Sequence, residues 1–293
     1  MITNNKAFKI VMYALLIFLI IACIMPFWML FVSSLTSETA LAKTGYNFVF
    51  TETSTAAYEY LWNVRGSIFR AYGMSVLITA IGVSCNVVLT ILFAYPLSRK
   101  ELPGRRAISF FLFFTMLFNG GFVPTYMVYT QVFNFKDTLA GMIVPYLLMN
   151  AFYVMMMRTY ITTNVPNEVN EAAKIDGATE VQCLTKIVLP MSKPIIATIA
   201  LMALIAYWNN WTNGIYFITA RTDLYGIQNY LTSVMNSVSF LQTHSMGNGV
   251  NFKIPNVSVR MAIAILAVVP VLLMYPFFQK SFVKGITLGS VKG

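Results

Sequence analysis

The sequence predicts an all-α integral membrane protein with six transmembrane helices. Three observations predict it. Hydrophobic residues make up 58% of the 293 residues and charged residues 10%, a balance that excludes an ordinary soluble domain. Apolar runs recur along the chain, each near the roughly 20 residues that a bilayer-spanning helix needs. The cations gather between alternate runs. A net charge of +10 suggests nucleic acid in a soluble protein. Beside apolar spans it is explained by Lys and Arg held on the cytoplasmic side. Membrane lipid is therefore an expected partner, and nucleic acid is not.

The first span covers 10–32 and follows Lys6 and Lys9. Ile20-Ile21-Ala22-Cys23 looks like a lipoprotein cleavage site, but apolar sequence continues through Pro26, Phe27, Trp28 and Leu30. A cleaved signal would give way to polar sequence there, so an uncleaved helix is expected. Residues 33–70 read as an external loop with some helix. The second span covers 71–97, and its Asn86 is expected to pack against another helix. The basic turn Arg99-Lys100-Glu101-Leu102-Pro103-Gly104-Arg105-Arg106 reads as a cytoplasmic anchor.

The third span, 107–130, is interrupted by Asn119-Gly120-Gly121 and Pro124. Such residues release backbone groups that need other partners. Two readings are open: a kink held by packing, or part of a transport pathway. Residues 134–137 make a short outer turn. The fourth span covers 139–157, with Pro145 and Asn150 inside it. The fifth, 194–217, is apolar to Ala206 and then meets Tyr207-Trp208-Asn209-Asn210-Trp211-Thr212-Asn213. That cluster suits an interfacial belt; aromatic faces with amides also suit a sugar-binding lining. Asn119, Asn150, Trp208, Asn209, Asn210 and Trp211 are the candidate pathway residues. Residues 221–256 form a second external segment, and the single histidine, His244, reads as a solvated loop residue. The sixth span, 257–278, carries Arg260 near its outer end, within reach of the interface. The whole chain, 1–293, reads as one membrane domain.

Charge fixes the expected orientation. With the amino terminus inside, the inner segments hold Lys6, Lys9, Arg99, Lys100, Arg105, Arg106, Arg158, Lys174, Lys186, Lys193, Lys280, Lys284 and Lys292, which is 13 of the 20 cations. Both termini then lie in the cytoplasm of a multi-pass cell-membrane protein. The polar stretch 158–193 falls on the same side.

Chemistry is sparse. There is no G-x-x-x-x-G-K-[ST] loop, no H-E-x-x-H and no serine elbow. Cys23, Cys85 and Cys183 show no metal or disulfide spacing. No metal site and no catalytic residue is expected. No charged residue sits at the centre of a span, which weakens an ion-coupled transporter. Energy for transport would have to come from a partner.

Within 158–193, Glu171 to Pro190 reads EAAKIDGATEVQCLTKIVLP. Pro166 suits a first helical turn. Val169, Ala172 and Ala173 share one helical face. Gly177 is placed to stop the helix in a left-handed conformation, and Thr179 can cap the next one. Ala178, Val181, Leu184, Thr185 and Val188 make a second stripe, closed by Pro190 and Pro194.

This stretch resembles the EAA motif of inner-membrane permeases of binding-protein-dependent ABC importers. Glu171-Ala172-Ala173 is followed after three residues by Gly177, and after nine more by Ile187, Leu189 and Pro190. Asn119-Gly120-Gly121, Pro124-Thr125, Ile175 to Ala178 and the terminal FVKG…GSVKG look like carbohydrate importers of the MalG type, within it the LplC- and YtcP-like group. The resemblance implies a type I ABC importer permease fold whose hairpin is a coupling helix. Glu171, Ala172, Ala173, Asp176 and Gly177 would meet the ATPase. It also implies a second, MalF-like permease, two ATPase subunits that bind ATP and Mg, and an extracellular solute-binding lipoprotein that delivers a carbohydrate. No cofactor is then expected in this chain, which would be a transport subunit of a bacterial cell membrane and not an enzyme. The alternatives are an ABC importer for another polar solute such as a peptide, or a self-contained secondary transporter.

Overall fold

The computed structural model describes residues 6–248 and 257–290. The regular structure is helical. Among the described residues, one isolated antiparallel bridge between Thr36 and Thr53 is the only paired extended backbone. The chain divides into two units. The first takes Met1–Ile68 and Leu231–Pro270, and the second Phe69–Tyr230 and Val271–Gly293.

In the first unit, α1 (Lys6–Ser34) runs without interruption through Cys23 and Pro26. Its side chains are exposed on all sides over most of its length, as suits a helix meant for lipid or a partner helix. Trp28 donates its indole N–H to the Phe48 carbonyl at 2.9 Å, and Trp28, Phe31 and Phe50 pack as a ring cluster. The segment after α1 turns back on itself, with Ser37 N–H donating to Glu52 O and Ser54 N–H to Leu35 O. It carries the short helices α2 (Glu38–Thr44) and α3 (Ala56–Asn63).

α4 (Arg65–Ser98) begins six residues before the expected second span. One stripe of its polar residues is buried: Ser75, Thr79, Asn86 and Thr90. Spacings of four and seven keep that stripe on one helical face. α5 (Arg105–Leu117) and α6 (Phe122–Met127) are followed by a π-helical turn, Val128–Val132. The third expected span is therefore not one rod, because the chain bends by 113° between its two pieces. Gly121, at φ 88°, supplies a conformation that L side chains rarely adopt.

The fourth expected span is also divided, into α7 (Leu139–Ile143) and α8 (Ala151–Asn164). Pro145 lacks an N–H, and Tyr146 stands at φ 65°, so the helix cannot continue across them. α9 (Asn167–Ile175), α10 (Glu180–Gln182), a π-helical turn (Cys183–Val188) and α11 (Leu189–Met191) lead into α12 (Lys193–Trp208). The fifth expected span stops at Trp208, and α13 (Thr212–Phe217) resumes after the break. A 3-10 turn (Thr222–Leu224) precedes α14 (Ile227–Asn248). α15 (Val257–Ser290) extends beyond the expected sixth span. Its first N–H groups, on Val257 and Ser258, donate to the Glu38 carboxylate, which places a negative charge at a helix start. The surroundings of His244, and residues 249–256, lie outside the described residues.

Among the described residues, two helices are long and apolar enough to cross a membrane singly, Phe8–Ser34 and Arg65–Ser98. Two bent pairs, Arg105–Leu117 with Phe122–Val132 and Glu180–Met191 with Lys193–Trp208, bring the number to four if each pair is one span. In lipid, apolar contacts alone give helices little reason to associate, so close approach at small residues matters. Gly82 shows it: a Cβ there would overlap the Tyr207 ring. Ala94 and Ala203 are likewise fully buried, in a core with Leu112, Val154, Met157 and Ile199.

Candidate functional site

The hairpin at 167–191 is the most polar structured stretch of the second unit. Pro166, at φ −60° and ψ 134°, stands at the cap position just before α9 rather than inside its first turn. α9 closes through Asp176 N–H to Ala172 O at 3.0 Å, Gly177 N–H to Lys174 O at 3.0 Å and Ala178 N–H to Ala173 O at 2.9 Å. Gly177 takes φ 81°, so the left-handed turn expected there is present. Thr179 caps the next helix in a capping box. Gln182 N–H donates to Thr179 Oγ1 at 3.3 Å, and Thr179 N–H to Gln182 Oε1 at 2.9 Å, a reciprocal closure of two otherwise orphaned donors.

Pro190 does not end this second arm, because it stands within the first turn of a short helix, where its missing N–H costs nothing. The arm ends instead at a 79° bend before α12.

The face that Val169, Ala172 and Ala173 share is only partly covered. Asn170 is buried and Ala173 half-buried, three residues apart, whereas Val169 and Ala172 are exposed. The outward face carries Glu168, Glu171, Ala172 and Ile175, all exposed, with Ile175 at 87%. Asp176, Gly177 and Val181 extend it. Glu171 and Asp176 form no ion pair among the described residues.

The inward side is tied to the end of α4. Lys174 Nζ lies 2.6 Å from Glu180 Oε1. Tyr95 donates its hydroxyl proton to Glu180 Oε2 at 2.6 Å, and Arg99 Nη2 donates to the same hydroxyl at 2.6 Å. The Arg99 guanidinium also lies 4.7 Å from the Tyr95 ring centre. The hydrogen bond from Lys174, then that from Tyr95, hold the Glu180 carboxyl below the usual carboxylate range, and Glu180 in turn raises the Lys174 ammonium. Sequence reasoning did not single out Tyr95, and placed Arg99 only in the basic anchor turn. The available signal was their i, i+4 spacing at the polar end of a long helix, which puts them on one face.

The second feature is the break between α7 and α8, whose carbonyls lack helical donors. Three side chains supply them. Asn213 Nδ2 donates to Met142 O at 3.2 Å and Pro145 O at 3.0 Å. Tyr207 donates to Ile143 O at 3.0 Å. Asn86 Nδ2 donates to Leu147 O at 2.8 Å and Leu148 O at 3.2 Å. Irregular backbone at membrane depth persists where protein groups satisfy it. Asn86 was expected to pack against another helix, and it instead bonds the non-helical break between α7 and α8.

The candidate pathway residues lie at three breaks. Asn119 Oδ1 accepts from Gly121 N–H at 3.0 Å, and Asn150 Oδ1 from Phe152 N–H at 2.9 Å, so each closes its own turn. Trp208 is buried against Tyr72, with ring centres 6.4 Å apart. Asn210 Oδ1 accepts from Asn213 N–H at 2.9 Å. Asn209 and Trp211 are exposed. The Trp211 carbonyl accepts from Asn229 Nδ2. Among the described residues, no group of three His, Cys, Asp or Glu is arranged to hold a metal ion.

Comparison with known proteins gives these features a setting. Polygalacturonan/rhamnogalacturonan transport system permease protein YtcP of Bacillus subtilis (strain 168) is 34% identical over 290 residues, 99% of this chain and 100% of that protein. Protein LplC of the same organism is 33% identical over 273 residues, 92% of this chain and 90% of that one. Trehalose/maltose transport system permease protein MalG of Thermococcus litoralis is 29% identical, covering 94% of each. A chain from the crystal structure of a bacterial ABC transporter involved in the import of the acidic polysaccharide alginate matches with a TM-score of 0.80 at 26% identity, covering 96% of this chain and 98% of that one. A family match extends over residues 61–288, and the chain belongs to the binding-protein-dependent transport system inner membrane components.

Proposed function

We propose that this chain is one of two permeases in an ATP-driven importer of a carbohydrate, most simply an oligosaccharide. An extracellular solute-binding lipoprotein hands the sugar to the permease pair. Two ATPase subunits bind ATP and Mg and seat on the hairpin at 167–191. Both termini and the hairpin face the cytoplasm of a bacterial cell. The names of the relatives support the sugar, because each quoted name that states a cargo states a saccharide.

The observation that carries the coupling role is the two-sided build of the hairpin. Its outward face leaves Glu171, Ala172, Ile175 and Asp176 exposed, ready for a cleft on a partner. Its inward face is bonded to α4 through Glu180, Tyr95 and Arg99. ATPase closure would move the hairpins of the two permeases together, and each hairpin would carry the end of its α4. Ala172 admits close approach, Glu171 offers a charged contact, Ala173 packs inward and Gly177 sets the turn. Asn209 and Trp211, exposed at the α12–α13 break, are the pathway candidates freest to meet a sugar. Asn119, Asn150 and Asn210 would shape that pathway through the turns they hold, and Trp208 through its packing on Tyr72.

The test is purification of the chain from its own cells in mild detergent, with identification of the co-purifying proteins, followed by uptake of labelled oligosaccharides and peptides. An ATPase, a second permease and saccharide uptake are expected. Glu171→Lys should keep membrane insertion but lose most of the ATPase and most uptake. A chain that purifies alone and transports down an ion gradient would overturn the reading.

A further inference from the structure

At the start of α5 the structure holds a basic cleft of about 720 Å³. Lys100, Arg105, Arg106, Arg158 and Ser109 line it. No carboxylate lines it, and none of its four cations forms an ion pair among the described residues.

Two of the guanidinium groups are held together. Arg105 Nε donates to Leu97 O at 2.9 Å, and Arg158 Nε donates to the same oxygen at 3.1 Å. The remaining nitrogens of Arg105 are left to donate elsewhere. Burial, and then the facing Arg105, hold Arg158 below the usual guanidinium range. Like charges converging without a counter-ion are costly unless an anion joins them. The cleft also takes in the start of α5, where Gly104 offers no side-chain cap. Free N–H groups at a helix start favour an anion. The Ser109 hydroxyl, whose oxygen is buried without a hydrogen-bond partner, adds a further donor. Along α5 the next residues, Ile108, Phe110 and Phe111, are exposed at 42%, 68% and 65%.

We propose that this cleft binds the phosphoryl headgroup of an anionic phospholipid, with Arg105, Arg106, Arg158 and Lys100 around the phosphate and the acyl chains along the exposed apolar side of α5. A planar guanidinium fork matches phosphate oxygens. The apolar run beside the cations distinguishes a lipid from a free anion, which has no use for it. Placement in the cytoplasmic leaflet, where anionic lipids attract basic segments, rests on the orientation given above.

The experiment is native mass spectrometry of the detergent-purified complex titrated with phosphatidylglycerol or phosphatidylcholine of equal chain length. Phosphatidylglycerol is expected to bind and phosphatidylcholine to bind far less. Lys100 and Arg106 make no hydrogen bond among the described residues, so Lys100→Gln with Arg106→Gln removes charge without breaking a recorded contact. At about fivefold per cation, the double variant should bind phosphatidylglycerol about 30-fold more weakly. Lys136→Gln, on the turn at 134–137, should leave binding unchanged. Equal binding of the two lipids overturns the proposal, as does an unchanged double variant. Displacement of the lipid by millimolar inorganic phosphate would assign the cleft to a free anion and overturn the lipid. Binding in detergent does not depend on orientation or on transport. A complex that imports sugar but ignores phosphatidylglycerol therefore fails this inference alone.

Discussion

Replacing Gly177 isolates the hairpin turn from its contacts. The residue sits at φ 81°, and a Cβ built there meets nothing within 4 Å. The cost of Gly177→Ala is therefore backbone strain alone, about 1–2 kcal/mol for an L residue held left-handed. That corresponds to about a 5- to 30-fold shift toward opened turns. Gly177→Asn should cost a fraction of this, since asparagine tolerates the same region. The assay is amide hydrogen exchange across 167–182 in the reconstituted complex, read beside ATP-driven uptake. Faster exchange at Gly177 and Ala178, which donate to Lys174 O and Ala173 O, is expected in the alanine variant, with uptake falling in step. The asparagine variant should lie close to the parent. Equal behaviour of the two variants would refute the backbone argument. Opened turns with normal uptake would refute the role of the turn in coupling.

Tyr95→Phe removes a hydroxyl that donates to Glu180 and accepts from Arg99, and should cost about 1–2 kcal/mol; thermal denaturation of the complex should show it, with faster exchange confined to 167–188. Asn213→Ala leaves the Met142 and Pro145 carbonyls without their donor and should cost about 1–3 kcal/mol for each orphaned buried group, read as a lower denaturation temperature in detergent. Asp137 accepts from the Thr219, Ala220 and Arg221 amides and from the Thr219 hydroxyl. Those bonds, the Thr219 amide foremost, hold its carboxyl well below the usual carboxylate range. A group lowered on folding contributes stability above its unfolded value, about 4, and loses it only as pH falls further. Protection of the Thr219, Ala220 and Arg221 amides from hydrogen exchange, taken relative to their unstructured rates, should therefore stay flat from pH 8 to 5 and fall in Asp137→Asn.

Much of the hairpin was legible because its signals are local. A glycine after a helical run and a threonine three residues before a glutamine specify a turn and a cap whatever surrounds them. The broken spans were harder. Asn119-Gly120-Gly121 and Pro145 marked places where a helix is weak, but not whether neighbours would hold it straight. That depended on Asn86, Tyr207 and Asn213 reaching carbonyls more than sixty residues away in sequence. Hydropathy counts such stretches as spans because it scores composition and ignores direction. Which face of α9 turns inward was not legible for a related reason. Asn170 carried no signal of burial, yet it is the buried residue, and small residues alone could not say which side met the protein.

The bonded end of α4 has a mechanical consequence. At 34 residues, this helix is about 50 Å long. Near its middle it is gripped where Gly82 meets the Tyr207 ring and Asn86 holds the Leu147 and Leu148 carbonyls. A rigid beam gripped at its centre behaves as a lever on a fulcrum. Tilting it by about 5° carries each end about 2 Å, in opposite directions. On the proposed coupling role, a push on the hairpin would tilt the beam about this grip and move the part of α4 beyond it the opposite way, without any residue of the helix changing its local fold.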